Sequence, residues 1–424
     1  MNRVHPLEEV PSPEPEEIPE PAVSSLLKSV EGGTMVILKF SGWGTLLGIA
    51  PFLAELRQRA PETRQVLVTE RRNAPVASRF PWPDRILYLE APATGGRMSL
   101  PALATLALRI RAQSPALFLD LQLHTWRRTA LLLGLASGAP RRVGFVRRED
   151  GPRMRFLTHP LYFNMHHPSR QAYGQAALLL GICPDITRPE ALDSVLRESP
   201  ADLQELERVY PSLSRPGKIC VLNPNASERA LERRWPAEKF SQAAERLLRR
   251  HPSLRIVLTG SAAERDYTDR VARALPPSLG AKIVNLAGQL SLGSLIALLA
   301  RADVFLSNDT GPLHLALHLR TPSVGLFGPT RPDLVLDPEG LRSLSVLTEP
   351  HYCSPCLYQV SRPPCGGDNV CLSSLPVERV VREVEFRLAG GASGDQDVPS
   401  LPFRFSDGQG FPLAGFRTDR RPSR

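Results

Sequence analysis

The sequence has no hydrophobic run that approaches the length of about 20 residues needed to span a bilayer. Its N-terminus lacks the basic and then apolar pattern of a signal peptide. Six cysteines in 424 residues are too few for a disulfide framework, and no internal repeat is visible. These absences argue against a membrane-spanning, secreted or repeat protein, and we expect a cytoplasmic chain whose cysteines are mostly reduced.

Acidic residues are fewer than basic ones: the chain has 43 Asp and Glu and 52 Lys and Arg, which gives a net charge of +9. Such an excess favours acidic partners, including nucleotide phosphates, phosphorylated glycans and anionic membrane surfaces. An arginine-rich host proteome would produce the same excess. The sequence contains no nucleic-acid-binding module and no basic stripe interleaved with aromatic residues, so nucleic acid is not an expected partner.

Both ends of the chain have little to bury. Residues 1–33 include the stretch HPLEEVPSPEPEEIPEPAV, in which proline alternates with glutamate. From residue 390 to residue 424 the hydrophobic periodicity is lost again. Segments of this composition cannot offset the entropy cost of ordering, so we predict a disordered extension over 1–33 and a disordered tail over 390–424.

Between these ends, short apolar runs alternate with amphipathic stretches typical of helices. Runs of this kind are typical of strands that are buried on both faces. The first series comprises 35–40, 65–69, 85–89 and 116–120, and the second comprises 218–222, 255–259, 282–286, 303–307 and 323–327. Two successive strand-helix series predict an α/β protein with two doubly wound parallel sheets, in domains 34–200 and 201–389.

Residues 303–330, DVFLSNDTGPLHLALHLRTPSVGLFGPT, contain the most informative turn. Asp309, Thr310 and Gly311 lie between the end of an apolar strand and a helix that starts near Pro312. Ligands of open α/β sheets bind at this edge, and a helix N-terminus suits a diphosphate. His314 would lie on the first turn of that helix, within reach of the same anion. The alternative is a plain strand-turn-helix in which Asp309 is only an N-cap.

Two further strand ends carry polar residues. Asn225 follows the strand at 218–222, and Arg233 lies in the arginine-rich loop after it, where guanidinium groups suit phosphate oxygens. Alternatively, the arginines are solvated and pair with neighbours such as Glu232. Glu264 follows the next strand and could accept hydrogen bonds from ribose hydroxyls, or it could simply be a charge favoured by a helix N-terminus.

Taken together, these segments resemble glycosyltransferase family 9, the heptosyltransferase-like enzymes of lipopolysaccharide core synthesis. The resemblance spans roughly 35–388 and rests on NDTGPLHLA…TPSVGLFGPT, on NP…RRWP, and on DLQ (120–122) with APRRVGF (139–145). It implies a GT-B fold, in which two Rossmann-like domains face one another across a cleft. It also implies an inverting transfer that requires no cofactor.

The resemblance also implies which ligand each domain binds. The C-terminal domain would bind a nucleotide-linked sugar, most naturally an ADP-linked heptose, through Asn225, Arg233, Glu264 and His314 together with the turn 309–311. The N-terminal domain would bind a lipid-linked or polysaccharide acceptor at the inner face of the membrane. Gly44 and Arg127 are the residues that we assign to the acceptor side.

One position departs from the family pattern. Family members carry K-x-S-x-x-G-D after the first strand, and the aspartate is the presumed general base. Here Thr45 occupies that position, and a hydroxyl cannot act as a base at neutral pH. Asp120 or Glu70 could replace it, the acceptor could need less activation, or the chain could bind without catalysing. The alternatives to a transferase are therefore a nucleotide-sugar-binding scaffold and a GT-B nucleotide-sugar epimerase.

Four of the six cysteines cluster near the C-terminus, at Cys353, Cys356, Cys365 and Cys371. Similar clusters occur in many family 9 members. Four thiols could hold a structural Zn²⁺, although the second pair is more widely spaced than in common zinc sites. Free thiols and redox-dependent disulfides are the alternatives.

Overall fold

A computed structural model describes residues 25–391, with gaps at 41, 91–98, 125–126, 148–150, 165–166, 183–189, 194, 227–229, 337–340, 358–359 and 361–362. Residues 1–24 and 392–424, most of the two segments predicted to be disordered, lie outside the described residues. None of the described helices is long and apolar enough to cross a membrane.

Two six-stranded parallel sheets form the framework. The first has the order β3-β2-β1-β4-β5-β6, and the second has the order β12-β11-β10-β7-β8-β9, which is the same winding repeated. The first sheet comprises β1 Thr34–Leu38, β2 Arg64–Glu70, β3 Arg85–Leu89, β4 Pro115–Asp120, β5 Arg141–Val146 and β6 His159–Tyr162. The second comprises β7 Ile219–Asn223, β8 Arg255–Leu258, β9 Ile283–Asn285, β10 Val304–Asn308, β11 Ser323–Phe327 and β12 Leu344–Thr348.

Helices connect the strands and cover both faces of each sheet. Those of the first half are α1 Ser25–Lys28, α2 Trp43–Leu47, α3 Ala50–Arg59, α4 Ala74–Ala77, α5 Leu100–Arg111, α6 Arg127–Ala136, α7 Gly151–Met154, α8 Ser169–Leu180 and α9 Glu190–Asp193. Those that follow are α10 Pro200–Val209, α11 Ala237–Arg250, α12 Arg265–Arg273, α13 Leu292–Ala300, α14 Gly311–His318, α15 Pro332–Val335, α16 Val370–Ser373 and α17 Val377–Leu388.

The central strands are buried along their whole length because helices cover them on both sides. β10 and β11 are buried at every position, and so is β7. All nine strands predicted from apolar runs are present, which confirms the prediction of two doubly wound parallel sheets. β5, β6 and β12 were not predicted: β5 begins with two arginines, and β6 and β12 are edge strands with partly exposed residues.

The last part of the predicted N-terminal extension is packed against the first domain. Helix α1 is followed by a turn, and the side chains of Leu26, Leu27 and Val30 are buried in the apolar core. The prediction of disorder up to residue 33 is therefore wrong for residues 25–33. Three apolar side chains in a short segment are enough to dock it on a core that is already formed by α3 and α8.

The two halves of the chain contact one another directly. Helix α2 of the first half packs against α14 of the second. Arg79, in the first half, forms an ion pair with Asp202 of α10, with 3.2 Å between Nη2 and Oδ2. Helix α10 in turn packs on α13, so it belongs structurally with the second half. These contacts bring the carboxyl ends of the central strands of both sheets to a shared cleft.

Candidate functional site

A cleft of about 1110 Å³ lies between the two sheets. The first half contributes the loop and helix after β1, including Gly44 and Thr45. The second half contributes the loops after β7, β8 and β10, where the residues predicted to contact the donor are located. All seven of those residues line the cleft: Asn225, Arg233, Glu264, Asp309, Thr310, Gly311 and His314.

The floor on the second-half side is held together by Asn308. Its side-chain oxygen accepts a hydrogen bond from the Trp235 N–H (3.0 Å), and its Nδ2 donates to the carbonyls of Pro224 (3.0 Å) and Asn225 (2.8 Å). Asn225 donates from Nδ2 to the Thr259 carbonyl at 2.9 Å. The ends of β7, β8 and β10 are thereby cross-linked. The buried Oδ1 of Asn225 has no partner among the described residues, so it can accept a hydrogen bond from a ligand.

The N-terminus of α14 faces the cleft without a side-chain cap. The residue at the cap position is Thr310, and its hydroxyl turns back toward Ser307 (3.0 Å) and Asn223 (3.4 Å). The alternative in which Asp309 is the N-cap is therefore wrong. An uncapped helix N-terminus presents backbone N–H groups and partial positive charge, which together favour an anionic group such as a diphosphate.

Asp309 and Arg233 come from loops that are 76 residues apart and meet at the edge of the cleft. Nη1 of Arg233 lies 3.4 Å from Oδ2 of Asp309, and the Thr330 hydroxyl donates to the same oxygen at 2.8 Å. Nε2 of His314 lies 3.8 Å from Oδ1. Burial raises the pKa of Asp309, but Arg233, His314 and Thr330 outweigh it and hold the pKa well below its usual range.

Arg234, which follows Arg233 in the loop, has a structural position. Arg234 stacks on the ring of Tyr267, with 4.1 Å from the guanidinium carbon to the ring centroid, and donates to the Ala226 carbonyl at 3.3 Å. Arg233 pairs with Asp309, whereas Glu228, a possible partner in the alternative interpretation, lies outside the described residues. Among the described arginines of this loop, Arg233 is therefore the one that lines the cleft and is placed to meet an anion there.

Glu264 combines a structural contact with an accessible oxygen. Its Oε2 accepts hydrogen bonds from the N–H (2.8 Å) and hydroxyl (2.9 Å) of Ser261. This is a capping box at the start of the helix that follows β8. Oε1 has no hydrogen bond with any described residue, and the side chain lines the cleft. The helix-terminus interpretation is thus correct, and the ribose contact stays a prediction.

On the first-half side, Gly44 and Thr45 lie on α2 directly opposite α14. The Thr45 hydroxyl donates to the Gly42 carbonyl at 2.9 Å. A Cβ added at Gly44 would lie 2.4 Å from Cδ2 of His314, and one added at Gly311 would lie 2.9 Å from Cβ of Trp43. Each glycine therefore allows the opposite helix to approach its backbone, and the two sides of the cleft touch here.

Asp120 and Glu70, the two alternative bases, are both enclosed. Asp120 forms an ion pair with Arg153 and accepts the N–H of Gln122 at 3.0 Å. Its burial raises the pKa of the carboxyl, and Arg153 acts in the opposite direction. Glu70 is 1% exposed and pairs with Arg72 at 2.9 Å. Neither carboxylate is among the described residues that line the cleft, so the structure argues against both hypotheses.

Arg127 is also not among the described residues that line the cleft. Its Nη2 donates to the Phe145 carbonyl at 3.2 Å, so the guanidinium is turned toward β5 rather than toward an acceptor. The structure therefore does not support its assignment to the acceptor side. A side chain that sequence reasoning missed does line the cleft: Tyr173 of α8, whose hydroxyl accepts a hydrogen bond from the buried Lys39. No motif marks Tyr173.

Lys39 is buried beneath the same wall of the cleft. Its Nζ also donates to the Leu121 carbonyl at 2.7 Å. Burial lowers the pKa of Lys39 to about 7, against the opposing effect of Asp120. The lysine of the K-x-S pattern is therefore a structural support for the loop and for Tyr173, since it does not line the cleft among the described residues.

The C-terminal cysteines lie behind the loop that carries Thr330. The five cysteines in the described part of the chain are free thiols, and burial raises the pKa of Cys371 to about 11, with neighbouring thiols adding to the effect. Within the described ranges no three His, Cys, Asp or Glu side chains are grouped to hold a metal. Neighbouring thiols act on one another here, and the choice between zinc, free thiols and redox-dependent disulfides at Cys353, Cys356, Cys365 and Cys371 stays a prediction.

Two Rossmann-like halves that face one another across a cleft define the GT-B fold. A solved structure of Escherichia coli ADP-heptose lipopolysaccharide heptosyltransferase II shares it, with a TM-score of 0.61 and 20% identity over 84% of this chain and 99% of that one. The sequence model of glycosyltransferase family 9 (heptosyltransferase) matches residues 124–365, which is more than half of the 424 residues. The chain therefore belongs to glycosyltransferase family 9.

Curated relatives carry heptosyltransferase names. Lipooligosaccharide heptosyltransferase 2 of Haemophilus influenzae is 33% identical over 100 residues, which is 24% of this chain and 28% of that protein. Lipopolysaccharide heptosyltransferase 1 of Pseudomonas aeruginosa is 30% identical over 210 residues, or 47% of this chain and 56% of that protein. The chain thus spans between about a quarter and just over half the length of these two relatives.

Proposed function

We propose that this protein transfers a heptose from ADP to a lipopolysaccharide-core acceptor, with inversion at the anomeric carbon. The observation that carries the proposal is the pairing of Arg233 with Asp309 beside the uncapped N-terminus of α14. Family membership and the names of the relatives support the choice of heptose and of ADP. The acceptor would be lipid-linked, so the protein would work at the inner face of the membrane.

In this proposal, the diphosphate of the donor lies against the N-terminus of α14 and the guanidinium of Arg233. The Oδ1 of Asn225 and the Oε1 of Glu264 accept hydrogen bonds from donor hydroxyls deeper in the same half of the cleft. The acceptor hydroxyl attacks the anomeric carbon directly while the bond to the diphosphate breaks. The negative charge that develops on the leaving diphosphate is stabilised by Arg233 and by the positive end of the helix.

The test is an assay of ADP release from ADP-heptose, with and without a heptose-free lipopolysaccharide acceptor. We expect release that depends on the acceptor, and an Arg233→Ala variant with a raised KM for ADP-heptose and a lowered kcat. Arg249→Ala is the matched control, because that arginine is exposed and only pairs with Glu245 within its own helix. Donor turnover without acceptor would favour an epimerase, and ADP binding without any turnover would favour a scaffold.

A further inference from the structure

The acceptor hydroxyl must lose a proton during a transfer of the kind proposed above, and the usual position for the base holds Thr45. The Thr45 hydroxyl donates its hydrogen to the Gly42 carbonyl, so it acts as a local turn contact. Asp120 is buried in an ion pair with Arg153, and Glu70 is buried in an ion pair with Arg72. A proton acceptor must therefore come from another side chain in the cleft.

Four described imidazole or carboxylate groups line the cleft: His124, Glu264, Asp309 and His314. Burial and the nearby Arg147 lower the pKa of His124 to about 3, which makes its imidazole a weak base. The pKa of Asp309 is also held below its usual range. Glu264 is bound to Ser261 on the donor side. Weakly basic groups gain little by taking a proton in the transition state, so His314 is left as the strongest candidate.

The position of His314 favours this role independently. The imidazole lies against the backbone of Gly44, the residue before Thr45. A Cβ added at Gly44 would fall within 2.7 Å of three atoms of the imidazole ring. Its Nε2 lies 3.8 Å from Oδ1 of Asp309, so the carboxylate favours a ring orientation with this nitrogen toward it. Nδ1 has no hydrogen bond with any of the described residues. A base oriented by a carboxylate, with its other nitrogen available, is a common arrangement for activating a hydroxyl.

We propose that His314 is the general base of this chain, oriented by Asp309 and standing in for the carboxylate that is missing at position 45. This assignment rests on the proposed function and replaces the donor contact predicted for His314 from the sequence. Nδ1 takes the proton of the acceptor hydroxyl as that oxygen bonds to the anomeric carbon. The electron pair of the breaking sugar-phosphate bond leaves with the diphosphate. Asp309 stabilises the imidazolium that results.

The charged and titratable groups near the imidazole come from both halves of the protein. Asp309 and, behind it, Arg233 face it from the second half. His318 lies one turn further along the same helix and interacts with it. The elements packed against α14, namely α2, α13, β10 and β11, carry no titratable side chain within their bounds. Arg72 lines the same cleft from the first half.

The experiment compares His314→Gln with Thr45→Asp, each alone and combined. In His314→Gln we expect kcat to fall by about 100-fold or more, the usual contribution of a general base, with little change in the KM for ADP-heptose. In the same variant, the decline of kcat toward acid pH should disappear. Adding Thr45→Asp should restore about tenfold or more of the rate and bring back an acid limb at lower pH, since a carboxylate titrates near pH 4.

His318→Gln is the control for losing a histidine from α14, and it should keep the acid limb. Circular dichroism and the melting temperature check that each variant is folded, and His314→Asn replaces His314→Gln if that variant fails this check. A raised KM and weakened ADP binding at nearly normal kcat would make His314 a donor contact and overturn the proposal. Turnover that His314→Gln leaves intact would overturn the base assignment alone. If the protein without any substitution shows no turnover, both the base assignment and the proposed function are overturned.

Discussion

Gly44→Ala adds a single methyl group at the place where the two halves of the protein touch. The new Cβ would lie 2.4 Å from Cδ2 and 2.7 Å from Cγ and Nε2 of His314, far inside van der Waals contact. The imidazole side chain is 15% exposed and is held beside Asp309, so it cannot move aside freely. Either the ring leaves its position or α2 and α14 separate.

Overpacking of this kind costs about 1–3 kcal/mol. If that energy is needed to bring the cleft into its reactive arrangement, the rate falls by roughly 5- to 160-fold, because 1.36 kcal/mol corresponds to tenfold. Gly42→Ala is the matched control in the same loop, since its Cβ would have nothing within 4 Å.

The assay measures kcat and KM for acceptor-dependent ADP release in both variants, with ADP affinity from calorimetry. We expect Gly44→Ala to lower kcat while the dissociation constant for ADP stays close to that of the unchanged chain. Small-angle X-ray scattering should show a larger radius of gyration if the halves separate. Equal kinetics for Gly44→Ala and Gly42→Ala would refute the close contact between α2 and α14.

Three further predictions concern pH, a buried ion pair and thiol reactivity. Because the pKa of His124 is lowered to about 3 in the folded protein, the unfolded chain takes up the His124 proton first as the pH falls below about 6.5, and the free energy of unfolding decreases from there toward pH 3. In urea titrations between pH 6.5 and 4.5, His124→Gln should lose less of this free energy than the original protein. An equal loss would contradict the lowered pKa. In the same titrations, Asp120→Ala should lower the free energy of unfolding by about 3–5 kcal/mol, because Arg153 stays charged and buried without its partner. A decrease of less than about 1 kcal/mol would mean that the ion pair is exposed to solvent. Ellman's reagent should label Cys353 in the native protein but Cys220 only after unfolding, since Cys220 is buried and its pKa is raised by burial; equal labelling rates would contradict this.

Much of the framework could be predicted because parallel strands buried on both faces leave continuous apolar runs in the sequence. Strands β7 and β10 are examples, and the polar residues directly after them lie at the switch point of the second sheet. This is why Asn225, Asp309 and Thr310 could be placed at one edge before the structure was known. Their convergence with Arg233 follows from the topology of the sheet rather than from any local signal.

The parts that could not be predicted depend on contacts between distant residues. Asp120 looked available at the end of a strand, but Arg153, 33 residues later, encloses it. Tyr173 lines the cleft from a helix that carries no motif. Arg127 follows a strand end as expected, yet its guanidinium turns to a backbone carbonyl of β5. Whether each of these side chains reaches the cleft depends on its direction and on its pairing with distant residues. The hydrophobic periodicity of the sequence carries no information about either.

The proposed function requires the edge of the second sheet at α14 to bind a nucleoside diphosphate. Calorimetric titration with ADP, UDP, GDP and CDP tests it most directly, on the unchanged chain and on Arg233→Ala. We expect selective binding of ADP that Arg233→Ala weakens by tenfold or more, about 1.4 kcal/mol, and that Arg249→Ala leaves unchanged. Failure of all four nucleotides to bind, or ADP binding that is indifferent to Arg233, would contradict it.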